Sequence, residues 1–337
     1  MNASTAVQAG TDHDARLMRL SLWLGALDSL QLNVSTLRPA SSDASFRRYF
    51  RVEDAGGATY VVMDAPPGLE DCAPYIKVAR LLAAQGVRVP KIFAGDERLG
   101  ALVLSDLGSH TYTQAFTQGV SQPQFRAMWQ AAISEILLMQ GTPTQDLPAY
   151  ERADLRKELN IFIDWYWQHH LGAGEVSSTC LEALDRIAQQ VARQERCFVH
   201  RDLHSPNLIC SAGSPVPGNV DFQDAVDGPY TYDLVSLATD ARWTWSVPQQ
   251  EEAIAYFWGH PARRVRWDRG FSEFRRDCDW TSAQRNLRIA GVLCRLAYRD
   301  GKPAYLAHLD RVLDYCRQAV VRLPELAPLA QLLGGLA

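Results

Sequence analysis

The sequence predicts an α+β protein with its strands first and its helices after. Three observations point there. Runs rich in β-branched and aromatic residues, separated by small polar turns, are concentrated before residue 105. From Thr113 onward apolar residues recur mainly at helical spacing. One polar turn, Phe198–Leu208 (FVHRDLHSPNL), breaks that helical part, and Asn219–Asp224 (NVDFQD) follows it. Segregated strands and helices give a five-stranded antiparallel sheet region over 1–104, a hinge over 105–109 and a mainly helical region over 110–337.

A chain of 337 residues is long enough for two lobes. Its net charge of −4 offers no argument for nucleic acid or an anionic membrane surface. Seven scattered cysteines with no C-x-x-C pair fit reduced, mostly buried thiols. The N-terminus has no basic region followed by an apolar run, so no secretory signal is expected. Leu17–Leu30, an apolar stretch, is interrupted by Arg19, Ser21 and Asp28. The expectation is a cytoplasmic monomer with neither membrane nor nucleic-acid partner.

Taken in order, residues 1–13 read as a tail. Asp14–Leu30 is an amphipathic helix with Leu17, Leu20, Leu24 and Leu27 on one face. Asn33–Arg38 is a strand, Pro39–Ser45 (PASSDAS) a small polar loop, Phe46–Val52 a second strand and Tyr60–Met63 a third. Asp71–Ala84 is a helix with an acidic N-terminus. Val89–Ala94 and Ala101–Leu104 complete the sheet, and Ser105-Asp106-Leu107-Gly108 breaks the pattern. Helices follow at Gln122–Gly141, Arg152–Leu171, Ser178–Arg193, Pro248–Gly259, Phe271–Arg299 and Pro303–Leu323.

The polar turn carries the chemistry. His200-Arg201-Asp202 with Asn207 five residues later matches H-R-D-x-x-x-x-N, and Asp221-Phe222 supplies a second carboxylate. Phosphoryl transfer needs such groups. One carboxylate orients and deprotonates the attacking hydroxyl, and an amide oxygen with another carboxylate holds Mg²⁺. Asp202 is therefore the candidate base, and Asn207 and Asp221 are the candidate metal ligands. The strand–loop–strand–hairpin–strand order suits a protein-kinase-like bilobal fold. In it the 39–45 loop, with Ser42 and Ser45, would cover the nucleotide phosphates. Backbone at Ser105, Asp106 and Leu107 would meet the adenine edge. The third strand ends in Met63-Asp64 where the template has lysine, so Arg48 or Lys77 is the candidate phosphate cation. Only twelve residues separate Asp221 from Asp233, too few for a protein kinase's activation segment, so a small-molecule acceptor is expected. Asp233 is placed to hold the catalytic loop from below, and His200 is expected to be structural. Phe162, Trp165, Tyr166 and Trp167 are either core packing or a platform for a sugar ring. Arg285, Arg288, Arg295 and Arg299 are either a solvated stripe or a receiver for an anionic acceptor.

With these residues laid out, the chain resembles the aminoglycoside phosphotransferase and choline kinase-like family. Within it, the chain looks most like the bacterial anomeric kinases of N-acetylmuramate and N-acetylglucosamine. The stretches behind this are SFRRYFRV (45–52), VVMDAPP (61–67), EDCAPYIKVARLL (70–82), VHRDLHSPNL (199–208), VDFQDAVDGPYTYDLVSL (220–237) and YRDGKPAYL (298–306). The resemblance implies ATP and Mg²⁺ as cofactors and a sugar as acceptor. It implies Asp202 as catalytic base, Asn207 and Asp221 as metal ligands and Asp233 as a structural aspartate. It also favours Asp224, Trp165, Tyr166 and Arg295 as acceptor contacts. The alternatives are a kinase of another small alcohol (an aminoglycoside, choline or homoserine) and a nucleotide-binding module without turnover.

Overall fold

The computed structural model describes residues 15–42, 46–211, 213–264 and 270–333. The chain divides into two compact units. One runs through Ala83 and includes Val89–Ser109; the other joins Ala84–Arg88 to His110–Ala337.

The first unit is built on five strands: β1 (Leu32–Ser42), β2 (Arg48–Asp54), β3 (Thr59–Asp64), β4 (Ile92–Asp96) and β5 (Ala101–Ser105). They form one antiparallel sheet in the order β1-β2-β3-β5-β4. A helix over 15–25, α1, packs Leu20 and Leu24 against Phe50, Val52, Val62, Ala101 and Val103. It ends near Gly25, short of the expected Leu30, and Leu27 and Leu30 reach the same core from the turn that follows. A second helix, α2 (Ala73–Ala84), buries Tyr75, Val78, Ala79 and Leu82.

One expectation here is corrected. β1 does not stop at Arg38 but runs through Pro39 to Ser42, pairing Pro39 with Phe50 and Ser42 with Arg48. Proline is tolerated because β1 is an edge strand, and two irregularities in the register absorb the misfit. Ser42 is thus strand backbone rather than loop. Ser45 and the rest of the expected phosphate-covering loop, 43–45, lie outside the described residues.

The second unit is mainly helical: α3 (Tyr112–Gln118), α4 (Gln122–Met139), α5 (Arg152–Ile161), α6 (Ser178–Ala192), α7 (Tyr232–Ala238), α8 (Val247–Gly259), α9 (Pro261–Arg264), α10 (Phe271–Tyr298) and α11 (Leu309–Arg322). The starts of α4 and α8 are legible as S-x-x-Q capping boxes, Ser121 with Gln124 and Ser246 with Gln249. The expected helix Arg152–Leu171 changes character midway, because Phe162–His170 winds as a π-helix. α10 is the hub, touching α5, the π-helix, α6, α7, α8 and α11. Gly291 lets it approach the α5–π junction closely: a Cβ there would lie 2.6 Å from the backbone nitrogen of Phe162. Two small antiparallel pairs interrupt the helices. β6 (Arg196–Val199) pairs with β9 (Val226–Pro229), and β7 (Leu208–Ser211) pairs with β8 (Ser214–Asn219).

All seven cysteines are free. Among the described residues no helix is long and apolar enough to cross a membrane.

Candidate active site

The two strand pairs gather the polar residues. Asp202 follows β6, Asn207 precedes β7 and Asp221 follows β8. Pairing of Leu208 with Asn219 closes the hairpin, and the Val220 N–H donates to the Asn207 carbonyl at 3.1 Å. Asn207 then points its Nδ2 at the Asp202 carbonyl (2.8 Å) and at Asp221 Oδ2 (3.4 Å). Residues up to nineteen positions apart therefore share one locus.

Arg201 and Asp221 sit at φ of 74° and 65°, the left-handed region that costs a residue with a Cβ about 1 kcal/mol or more. The strain at Arg201 is held by two anchors. Asp233, buried in the first turn of α7, accepts the His200 N–H at 2.7 Å and the Arg201 N–H at 3.0 Å. The Arg201 guanidinium donates to Glu158 at 2.7 Å and lies over the Tyr150 ring, 5.0 Å from its centroid. Asp221 is steadied by Gln223, whose Nε2 donates to its Oδ1 at 2.8 Å. Asp240, seven residues past Asp233, accepts the Ser205 N–H at 2.8 Å. The start of α7 and the segment just past its end thus grip the 200–205 loop. Sequence reasoning missed both Asp240, which lies two residues beyond the last helical residue of α7, and Glu158.

The electrostatics follow from burial and neighbours. Burial pushes the Asp202 carboxyl up, but Arg288 first, then His204 and Arg285, more than offset this, so its pKa lies below the usual value. No protein group hydrogen-bonds its side chain among the described residues, which leaves both oxygens for a ligand. His200 is fully buried, and desolvation pulls its pKa down to about 4. Its neutral ring donates Nε2–H to the Val220 carbonyl at 3.1 Å, which fixes the tautomer. Burial raises the Asp233 carboxyl to about 7 against the two N–H donors that lower it.

The donor set suits a hard divalent cation. Among the described residues Asn207 Oδ1 has no hydrogen-bond donor, and Asp221 adds a carboxylate. An amide oxygen and one carboxylate are what Mg²⁺ takes when phosphates and water complete its octahedron. Among the described residues no group of three or more His, Cys, Asp or Glu side chains is arranged to hold a metal alone.

The remaining candidates fall in different places. Asp224 is exposed beside this cluster, 3.4 Å from Gln223 Nε2. Tyr166 is buried, stacked between Phe162 and His170, and serves core packing; Trp165 is half-buried and meets His169 edge-on. The arginine stripe is a solvated face only at its end, where Arg299 is exposed. Arg285 is 2% exposed and Arg288 pairs with Glu158 at 3.3 Å, because α10 is the hub of the unit and turns this face inward. Arg295 is half-buried on the same face.

In the first unit, Ser105 is a strand residue whose N–H donates to Lys91 and whose hydroxyl accepts from it. The Asp106 side chain accepts from Arg51 (2.7 Å) and from the Gly108 N–H (2.9 Å), and Leu107 lies between. Arg48 donates Nε to the fully buried Asp64 at 2.7 Å, and Arg16 pairs with the same carboxylate. Two guanidiniums and one carboxylate carry a net single positive charge at the strand end where the template has lysine.

Comparisons with known proteins identify the family of the chain. Residues 36–270 match the phosphotransferase enzyme family. The N-acetylmuramate/N-acetylglucosamine kinase of Pseudomonas aeruginosa is 41% identical over 340 residues, covering 96% of this chain and 97% of its own. Plasmodium vivax ethanolamine kinase superposes with a TM-score of 0.62 at 10% identity, over 86% of this chain and 84% of its own. An amicoumacin kinase in complex with AMP-PNP and Ca²⁺ gives 0.58 at 14% identity, over 94% and 97%. These structural neighbours carry the protein-kinase-like α+β fold that the strand order implied. By the matched span and by the length and identity of its relatives, the chain belongs to the phosphotransferase enzyme family.

Proposed function

We propose that the protein transfers the γ-phosphoryl group of ATP to the anomeric C1 hydroxyl of N-acetylmuramate and N-acetylglucosamine. The observation that carries the reaction type is the Asp202 carboxylate: it is kept ionised by nearby cations, is not hydrogen-bonded to the protein, and stands beside the Asn207–Asp221 pair. The 41% identical relative, named for those two sugars, supports the acceptor.

Asp202 accepts a hydrogen bond from the C1 hydroxyl and aims its oxygen at the γ-phosphorus. As the new O–P bond forms, the bond to the departing ADP breaks and the hydroxyl proton passes to Asp202. Asn207 Oδ1 and Asp221 would hold Mg²⁺, which when bound neutralises charge on the phosphates. Catalysis is then positioning plus charge stabilisation. Backbone at 105–107 would hold the nucleotide base, and the Arg16–Asp64–Arg48 group would stand in for the strand lysine. ATP dependence suits a cytoplasmic enzyme.

A kinase of a polycationic aminoglycoside is the weaker reading, since Arg285 and Arg288 put positive charge beside Asp202. The test is the reducing end of the sugar. Phosphorylation at C1 masks the hemiacetal, so reducing-sugar signal falls as ADP appears. Signal retained at full ADP release would place the phosphate elsewhere.

A further inference from the structure

Three positions fix how α10 runs beside α5 and the π-helix. Gln284 Nε2 lies 3.4 Å from the Leu155 carbonyl, Arg288 pairs with Glu158, and Gly291 meets the backbone at Ile161. Further on, the Tyr298 hydroxyl bonds His170 Nδ1 at 2.6 Å. Arg295 lies between the last two of these levels, which sets it level with the middle of the π-helix, around Trp165. It stands two helical turns from Arg288, about 10 Å along the axis and on the same face. Two long guanidinium side chains at that spacing can converge on one ligand.

Their hydrogen-bonding capacity is not filled by the protein. Nη1 of Arg288 and Nε of Arg295 are buried without a partner, as are Nε and Nη1 of Arg285 deeper in. Among the described residues Glu158 is the one carboxylate paired with Arg288, and it is shared with Arg201 at 2.7 Å. Among the described residues Arg295 pairs with no carboxylate, and nearby Asp300 is bidentate to Arg299. Buried guanidinium donors left open are costly, and an incoming anion would satisfy them. Arg288 is the strongest charged neighbour of Asp202, so the row leads away from the reacting hydroxyl.

Resting on the function proposed above, we infer that Arg295, with Arg288 between it and Asp202, receives the carboxylate of the acceptor's 3-O-lactyl group. That carboxylate hangs from O3, two ring carbons from C1. N-acetylmuramate carries it and N-acetylglucosamine does not. Arg295 is thus a specificity residue that favours the acidic sugar, while the chemistry at C1 is common to both.

The experiment compares kcat/KM for the two sugars in wild type, R295A and R295K, with thermal unfolding as a check on folding. R295A should lose about ten- to a hundredfold on N-acetylmuramate, mostly in KM, the size of a charge-assisted hydrogen bond. N-acetylglucosamine should change by less than about twofold. R295K should recover part of the loss. The wild type should also treat the neutral amide of N-acetylmuramate as R295A treats the acid, a comparison that needs no variant to fold. Equal losses on both sugars, as from contact with the transferred phosphoryl group, would overturn the inference, and so would no loss on either. A wild type that turns over neither sugar would overturn the underlying function and this inference with it; an unchanged ratio with both sugars active overturns this inference alone.

Discussion

The Asp233 carboxylate accepts the backbone N–H of Arg201 at 3.0 Å, across thirty-two positions of sequence, where Arg201 is held at a φ of 74°. The neighbouring oxygen takes the His200 N–H. The turn that presents Asp202 is therefore clamped from beneath by one side chain. Asp233→Ala leaves two buried N–H donors open and frees the strained turn, costing about 3 kcal/mol. Urea unfolding should show that loss, and kcat should fall with it. A variant with full kcat would mean the clamp does not shape the site.

Asp202 is the proposed base, so Asp202→Ala should lower kcat by about two to four orders of magnitude while nucleotide affinity changes little. Because cations hold its pKa down, the acid limb of kcat/KM should lie below the usual carboxylate range. Arg288→Gln removes the largest of those charges. The Asp202 pKa then rises, and the acid limb moves to higher pH with N-acetylglucosamine as acceptor. An unmoved limb would separate Asp202 from the observed titration.

His200 is buried neutral, with its pKa lowered from 6.5 to about 4. Between those values the unfolded chain binds the proton and the folded chain does not. Stability from this group is therefore complete above pH 6.5 and is lost as pH falls toward 4, by roughly 3 kcal/mol in all. Asp233, raised to about 7, titrates over much of the same window with the opposite sign. The informative quantity is thus the difference between wild type and His200→Gln in urea unfolding from pH 4 to 7. That difference should narrow as pH falls; a constant difference would rule out a buried neutral histidine.

Gly291 owes its place to close approach rather than to backbone freedom. A Cβ there would press on the Ile161–Phe162 backbone, which cannot rotate away. Gly291→Ala should cost about 1–3 kcal/mol in thermal or urea unfolding. Unchanged stability would show that α5 and the π-helix yield at no cost.

Much of this site was legible because its residues are local. Asp202 and Asn207 belong to one turn, and Asp221 follows the next hairpin, so spacing alone suggested that they meet. The sheet was legible from alternation, except that β1 continues past Pro39, which only an edge position permits. The arginines of α10 were harder. Charges at helical spacing on a 28-residue helix look the same whether they face water or partners more than a hundred residues away, and Glu158 is such a partner. The π-helix at Phe162–His170 was hidden because its stacked rings, Phe162, Tyr166 and His170, recur every four residues, a spacing between the α and π periods that points to neither.

The most direct measurement is a coupled ADP-release assay across N-acetylmuramate, N-acetylglucosamine, an aminoglycoside and choline, with phosphorus NMR of each product. The account predicts Mg²⁺-dependent ADP release with the two amino sugars alone, and a phosphorus signal coupled to the anomeric proton. Release with the aminoglycoside or choline instead, or coupling to the C6 protons, would contradict it.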